Sequence, residues 1–133
     1  MSQANVELLR KGIDAWNRRE VDLWRDYAAP EIEWLPAGPA AVERAVYRGY
    51  DEVRTGIAAA WETWDVFEFR EDQVRDLGDS TLWLGRVKMR GSTSGVELDQ
   101  EFAIHSVVRD GKIILIHTFL SWREGFEAVG LAE

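Results

Sequence analysis

Apolar residues in the first part of the chain recur with the period of a helix. The first apolar stripe consists of Val6, Leu9, Ile13 and Trp16. Spacings of three and four place these side chains on one face, which predicts an amphipathic helix. The polar run at residues 17–20 interrupts the stripe and marks the end of this helix.

A second, shorter helical pattern follows and gives way to a strand. Val21, Trp24 and Tyr27 carry this pattern. Pro30 is expected to stop the helix, because proline lacks the backbone N–H that the next turn needs. Residues 32–35 then alternate between apolar and charged side chains, which indicates a short early strand.

The stretch after this strand predicts a loop and a third helix. Residues 36–41 are small residues and prolines, a composition typical of a loop or lid. The third helix is expected to begin after Gly49, and three consecutive alanines at 58–60 favour helix intrinsically. Its apolar stripe consists of Val53, Ile57, Trp61 and Trp64.

From Asp65 onward the apolar period is two, which predicts long antiparallel strands. The predicted strands cover residues 66–77, 81–90, 96–108 and 112–120. The apolar parity shifts between Phe69 and Val74, which indicates a β-bulge. Asp110-Gly111 lies between the last two strands and is typical of a tight hairpin, because both residues tolerate a positive φ.

The chain closes with a fourth helical signal, so the order of elements indicates an α+β fold. Ser121 and Glu124 match a capping box at the start of a short C-terminal helix. We expect a single domain over residues 1–133. In it, a cone-shaped, curved antiparallel sheet carries three N-terminal helices on its concave face. A sheet bent by bulges around helices leaves a pocket at its open end.

Composition and charge exclude or disfavour several classes of binding partner and chemistry for this domain. The formal net charge of −8 disfavours nucleic acid and anionic membranes, because both attract basic surfaces. The absence of cysteine excludes disulfides, thiolate catalysis and iron–sulfur clusters. No apolar run approaches the roughly 20 residues that span a bilayer. The N-terminus lacks the pattern of a secretory signal, so we expect a cytoplasmic protein.

Three segments together resemble a known family. Residues 47–54, with the sequence YRGYDEVR, resemble the loop-to-helix step of the SnoaL-like proteins in the nuclear-transport-factor-2-like superfamily. Residues 109–113 resemble the recurrent last hairpin of that superfamily, and residues 119–131 resemble its C-terminal segment. The resemblance implies the cone-shaped fold. It also implies a homodimer formed through the outer face of the sheet.

The same resemblance implies several different activities. Members include ketosteroid isomerases, epoxide hydrolases, polyketide cyclases, dehydratases and noncatalytic binding or assembly modules, so the fold alone assigns none of them. Gly12, Leu35 and Ala103 stand where the isomerases carry their tyrosine and two acids. Thr118 stands where the cyclases carry an acid. Steroid-isomerase chemistry is therefore disfavoured.

Arg86 and Glu101 are candidates for the acid–arginine–acid cluster of an epoxide hydrolase. Alternation gives a competing interpretation, because it groups the basic side chains of one strand with the acidic side chains of the next. These residues are Arg86, Lys88, Arg90, Glu97, Asp99 and Glu101. In that arrangement they form a cross-strand charge ladder on the solvated face, and Gln100 and Ser106 are the polar groups of the inner face.

Two histidines and one further acid complete the catalytic candidates. Imidazole suits acid–base work near neutral pH. The family register points His105 into the cavity, whereas alternation groups it with the charged face; we expect the cavity. His117 is expected to point away from it. Glu33 precedes a tryptophan, whose apolar face can raise the pKa of a carboxyl and make it a base.

The sequence thus predicts a pocket for a small, mainly apolar, oxygenated molecule. The expected binding residues are Trp34, Tyr47, Trp61, Trp83, Gln100, Phe102, Ile116, Thr118 and Leu120. The expected catalytic residues, if the chain is an enzyme, are His105, Glu33, Glu101 and Arg86. Their chemistry would be proton transfer or hydration without a metal or organic cofactor. A noncatalytic binding domain, an association module and an epoxide-hydrolase-like enzyme remain the alternatives.

Overall fold

A computed structural model describes residues 2–20, 22, 24–37 and 44–131. The helices are α1 (Ser2–Asn17), α2 (Trp24–Tyr27), α3 (Gly49–Thr63) and α4 (Trp122–Ala128). The strands are β1 (Ala28–Leu35), β2 (Tyr47–Arg48), β3 (Trp64–Asp76), β4 (Ser80–Gly91), β5 (Glu97–Arg109) and β6 (Lys112–Phe119). The start of the predicted second helix at Val21 and most of the predicted loop at 36–41 lie outside the described residues.

The strands form one sheet in the order β2-β1-β6-β5-β4-β3. β3 to β6 make the predicted antiparallel meander, and β2 pairs antiparallel with β1. The sheet is mostly antiparallel, as expected, with one exception among the described strands: β1 runs parallel to β6, with Trp34 beside Ile116. β1 and β6 are far apart in the sequence, so no hairpin forces them to run antiparallel.

Proline and tryptophan shift two element boundaries from their predicted positions. Pro30 lies within β1, three residues after α2 ends, rather than stopping the helix directly. The β1–β6 register is irregular between Ala28 and Glu33, which accommodates a residue without an N–H. Trp64 begins β3 instead of extending α3. Its extended backbone, with φ −122° and ψ 120°, ends the helix.

Irregularities in β3 bend the sheet, as the parity shift predicted. The register of β3 on β4 slips between Glu71 and Gln73, and again between Trp64 and Val66. Each slip adds an unpaired residue, increases the local twist and bends the strand. The outer part of the meander therefore curls toward the helices, which gives the concave face.

Polar side chains fix α1 against the bent strand β3. The Trp16 indole N–H donates to the carbonyl of Phe67 at 3.0 Å. The Asn17 amide pairs with the backbone of Phe69 in both directions, at 2.9 and 3.0 Å. Arg19 donates to three carbonyl groups between residues 61 and 65, where α3 ends and β3 begins. These bonds satisfy backbone groups that the bulged strand and the helix end leave unpaired.

A second apolar cluster lies on the opposite face of the sheet, beneath α4. It comprises Leu82, Leu84, Ala103, Phe119 and Phe126. Gly125 allows the close approach, because a Cβ at this position would lie 2.7 Å from that of Ala103. The Ser121 hydroxyl accepts from the backbone N–H of Glu124 at 3.2 Å, which confirms half of the capping box. The Glu124 carboxylate bonds the hydroxyl rather than the Ser121 backbone.

Two buried threonines give a matched test of the hydrogen bonding inside the sheet. Thr118 Oγ1 donates to the Leu35 carbonyl at 3.0 Å, whereas Thr81 Oγ1 is fully buried without a partner in the described structure. We expect Thr81→Val to raise the free energy of unfolding by about 1 kcal/mol, because an unsatisfied polar group is removed. Thr118→Val should lower it by about 1 kcal/mol. Urea denaturation measures both, and equal effects would contradict the assignment.

Candidate functional site

A cavity of about 350 Å³ lies between the concave face of the sheet and helices α1 and α3. This volume lies within the range of ordinary small-molecule pockets. The curved strands supply one wall and the apolar stripes of the two helices supply the other. Most of the wall is aromatic or aliphatic, and its aromatic members are Trp16, Trp34, Tyr47, Trp64, Phe67, Phe69 and Phe102.

The aromatic side chains hold one another in place around the cavity. Trp16 contacts the Phe67 ring edge-on, with ring centroids 4.9 Å apart, and Phe69 lies 5.5 Å from it. Trp34 stacks on Tyr47 with centroids 5.0 Å apart. Gly56 of α3 makes room for that stack, because a Cβ there would lie 2.7 Å from the Trp34 ring. The wall is therefore preformed rather than dependent on a ligand for its shape.

The mouth of the cavity lies where β5 begins and β6 ends. Leu98 is 37% exposed and Leu120 is 40% exposed, and both line the cavity. Further along β5 the lining side chains Phe102 and Ile104 are only 7% and 4% exposed. Gln100 lies between the exposed rim and the buried floor.

Few polar groups face this cavity, and several of them are already engaged. Thr63 Oγ1 donates to the Ala59 carbonyl, and Thr118 Oγ1 donates to the Leu35 carbonyl. The Trp16 indole is likewise bonded to backbone. By contrast, the Gln100 amide and the Tyr47 hydroxyl have no hydrogen-bond partner among the residues that the structure describes. These two side chains are the flexible polar groups that the wall offers to a ligand.

Within the described part of the chain, the cavity wall contains no Asp, Glu, His, Lys or Arg. Tyr47 is the one ionisable side chain on it. Nor do the described residues bring three His, Cys, Asp or Glu side chains together as a metal site. Such a wall can exclude water, hold apolar surface and exchange hydrogen bonds, but it offers no carboxylate or imidazole to a bound molecule.

Seven of the nine expected binding residues line the cavity. They are Trp34, Tyr47, Gln100, Phe102, Ile116, Thr118 and Leu120. Trp83 is instead fully buried under the wall, and Trp61 packs edge-on against Trp16 at 5.4 Å. Each packs against a ring that does line the cavity, Trp61 against Trp16 and Trp83 against Phe69. Alternation alone does not distinguish a wall residue from one buried behind it.

The lining also includes residues that the sequence analysis did not single out. Phe67 and Phe69 flank Trp16, while Met89 and Leu98 extend the wall toward the mouth. The alternation of Phe67 with Phe69 placed both on one face of β3 and was a usable signal. Alternation likewise put Met89 on the apolar face of β4 with Trp83 and Val87, but which of these three side chains line the cavity depends on how the sheet curls.

Arg86 and Glu101 lie on the outer face of the sheet, where the charge-ladder interpretation put them. β4 and β5 pair without a bulge, with Arg86 opposite Glu101. Arg86 donates to the Asp99 carboxylate at 2.8 Å, and Arg70 reaches it at 2.9 Å. The hydrogen bond from Arg86 lowers the pKa of Asp99. Glu101 accepts from the backbone N–H of Trp122 at 2.9 Å and so caps α4.

Glu33 also lies away from the cavity. Its neighbour Trp34 lines the wall, and successive side chains of a strand point to opposite faces. The Glu33 carboxylate accepts from Arg48 of the adjacent strand β2 at 3.0 Å. The tryptophan face that was expected to desolvate this carboxylate is therefore on the other side of β1.

The structure corrects the expected orientation of His105. It lies opposite His117 in the β5–β6 ladder, and neither side chain lines the cavity. On β5, Gln100, Phe102 and Ile104 face inward, so strict alternation turns His105 outward. Burial lowers the pKa of His105, the nearby His117 lowers it further, and Asp79 acts in the opposite direction. Burial also lowers the pKa of His117.

The lowered pKa values of these two histidines predict that the folded protein loses stability in mild acid. The unfolded chain binds protons near the ordinary histidine pKa of about 6.5, whereas the folded state resists protonation below it. Their contribution is therefore present above about pH 6.5 and falls as the pH decreases. We expect His105→Gln to weaken the fall in unfolding free energy between about pH 7.5 and pH 5. Urea titrations at both values measure this, and an unchanged difference would contradict it.

Most of the chain matches a known domain family. The chain belongs to the SnoaL-like domain family, which it matches over residues 9–116. A search of the curated proteins returns no match. In the described part of the chain, no helix combines the length and apolar character needed to cross a membrane.

Solved structures share the fold over nearly the whole chain. An NTF2-like protein of unknown function from Burkholderia pseudomallei superimposes with a TM-score of 0.80 at 16% identity, covering 93% of this chain and 95% of its own. TerC, co-crystallised with polyporic acid, gives 0.79 at 15% identity, with 96% and 98% covered. An NTF2-like protein from Burkholderia thailandensis gives 0.76 at 26% identity, with 85% and 87% covered. These likenesses establish the NTF2-like α+β fold.

Proposed function

We propose that this domain binds a small, uncharged, mainly apolar molecule bearing at least one oxygen atom, and that it does so without catalysing a reaction. The observation that carries the proposal is the described wall of the 350 Å³ cavity, which combines aromatic surface with uncommitted neutral polar groups and no charged side chain. Apolar contact would supply most of the affinity. Tyr47 and Gln100 would orient the ligand oxygen.

Charge is the property that should decide which molecules enter. A carboxylate moved from water into an apolar pocket loses its hydration, and the described wall has no Lys, Arg or His to replace it. A ketone or an alcohol loses much less and regains a hydrogen bond from Tyr47 or Gln100. The pocket should therefore favour a neutral molecule over an anion of the same shape.

The positions of the candidate catalytic side chains argue against the alternative that the domain catalyses an acid–base reaction. General acid–base catalysis needs a side chain within hydrogen-bond reach of the reacting proton. Glu33, Arg86 and Glu101 are bonded elsewhere on the outer face, and His105 lies there as well. A cofactor-free isomerase, cyclase or epoxide hydrolase of this fold would need such a side chain on the cavity wall, and the described part of the wall has none. The co-crystallisation of TerC with polyporic acid supports testing this fold with small organic ligands.

A pair of naphthalene ligands tests this proposal. We expect 2-acetylnaphthalene to bind and quench tryptophan fluorescence, because Trp16, Trp34 and Trp64 line the cavity. The anion 2-naphthoate should bind at least about tenfold more weakly at pH 7.5, since its charge is left without a partner. Fluorescence titration or calorimetry gives both dissociation constants.

Two alanines of α3 supply the matched control. Ala60 lines the cavity, whereas Ala58 is exposed and does not. Ala60→Phe should fill part of the cavity and abolish binding of 2-acetylnaphthalene, while Ala58→Phe should leave it intact. Equal binding of the neutral and anionic ligands, or equal effects of the two variants, would refute the proposed site.

We also propose that two copies of the chain associate through the outer face of the sheet. The support is a group of partly buried apolar side chains on that face, Leu35, Val107 and Leu115, beside the paired histidines. Apolar surface of this kind on a sheet face is stabilised when a second copy covers it.

Sedimentation equilibrium tests this association. We expect the protein to sediment at twice the 15.2 kDa of one chain. Leu115→Lys should shift it toward the monomer, because a charge would be buried in the interface. Leu98→Lys, at the cavity mouth on the other face, should leave it dimeric. A wild-type monomer would refute the association.

A further inference from the structure

Gln100 is the one carboxamide side chain on the described wall of the cavity. We infer that Gln100 selects, among neutral ligands, those that present a hydrogen-bond donor and an acceptor side by side, as a carboxamide or a lactam does. This inference rests on the proposed binding function and adds to it the chemical class of the ligand.

The position of Gln100 on β5 fits an anchor for a ligand. Its neighbours on the same face are Leu98, which is 37% exposed at the mouth, and Phe102, which is 7% exposed toward the floor. Gln100 is half-buried between them. Its partner on β4 is Val87, which is fully buried and aliphatic. A ligand entering through the mouth therefore passes the amide before its apolar part reaches the aromatic floor.

The amide is uncommitted and its surroundings are apolar. It has two N–H donors and a carbonyl acceptor, and neither end has a hydrogen-bond partner among the described residues. The same face carries Phe102, Met89 and Phe69, which offer no polar atoms. Hydrogen bonds in such an environment are stronger than in water, and an amide that a ligand leaves unpaired is costly.

The other polar groups of the wall cannot supply the same selection. The hydroxyls of Thr63 and Thr118 already donate to backbone carbonyls. Tyr47 has a single rotatable hydroxyl, and its strand β2 is separated from β5 by β1 and β6 in the sheet. On the described wall, only the Gln100 side chain presents a donor and an acceptor in one fixed plane. The complement of that edge is a second group of the same kind, with which it forms two parallel hydrogen bonds.

Two neutral ligands of nearly identical shape separate this inference from simple apolar binding. The first, 2-naphthamide, carries a donor and an acceptor, whereas 2-acetylnaphthalene carries the acceptor alone. One additional neutral hydrogen bond is worth about fivefold to tenfold in affinity. We expect the wild-type protein to bind 2-naphthamide about tenfold more tightly than 2-acetylnaphthalene, as measured by isothermal titration calorimetry.

The Gln100→Leu variant should bring the ratio of the two dissociation constants to within about twofold of one, because both hydrogen-bonding ends are removed. Gln100→Met keeps the unbranched shape of the side chain, and the same ratio is expected for it, so the test does not depend on one variant folding. Gln73→Leu is the matched control. Gln73 lies on β3 outside the cavity and accepts from Arg75, so its removal should leave the wild-type ratio.

The outcomes distinguish a failure of the role of Gln100 from a failure of the proposed binding function. A wild-type ratio near one, or a tenfold ratio that survives in both Gln100 variants, would overturn the role of Gln100 while leaving the binding function in place. If neither ligand binds, or if Ala60→Phe binds them as tightly as the wild type does, the proposed function fails and the inference fails with it.

Discussion

The unbroken pairing of β4 with β5 is the constraint on which the character of the cavity depends. These strands stay in register from Ser80 beside Val107 to Arg90 beside Glu97. Side chains alternate between the two faces of each strand, so a slip of one residue would exchange the faces completely. In the observed register, Gln100 and Phe102 face the cavity while Arg86 and Glu101 face outward. The neutrality of the wall is thus a consequence of backbone hydrogen bonding.

The charged residues of the outer face form ion pairs between strands and cap a helix, and they do not line the cavity. Asp99 joins Arg70 and Arg86 across three strands, and Glu101 caps the helix that covers the second apolar cluster. Exposed ion pairs of this type contribute little stability each. They do make a register slip unfavourable, because the slip would bury charges against the aromatic wall. The charged residues of the outer face therefore help to keep the cavity wall uncharged, although they do not line the cavity.

Membership of the SnoaL-like family assigns the fold and leaves the activity open. Of the four positions where the isomerase and cyclase resemblance expects functional side chains, Leu35 and Ala103 lie on the outer face of the sheet. Gly12 and Thr118 line the cavity without adding a charge to it. What separates a binding domain from an enzyme on this scaffold is a small number of inward-facing positions.

The sequence by itself determined the element order, the four-stranded meander, the bulge in β3 and most of the cavity wall, because these follow from local periodicity and turn chemistry. It also contained the alternation that places Arg86 and Glu101 outside. The parallel pairing of β1 with β6 and the burial of Trp83 behind other rings were decided only by the tertiary structure. Each depends on which distant strands meet and how far the sheet curls, and a local pattern carries no information about either.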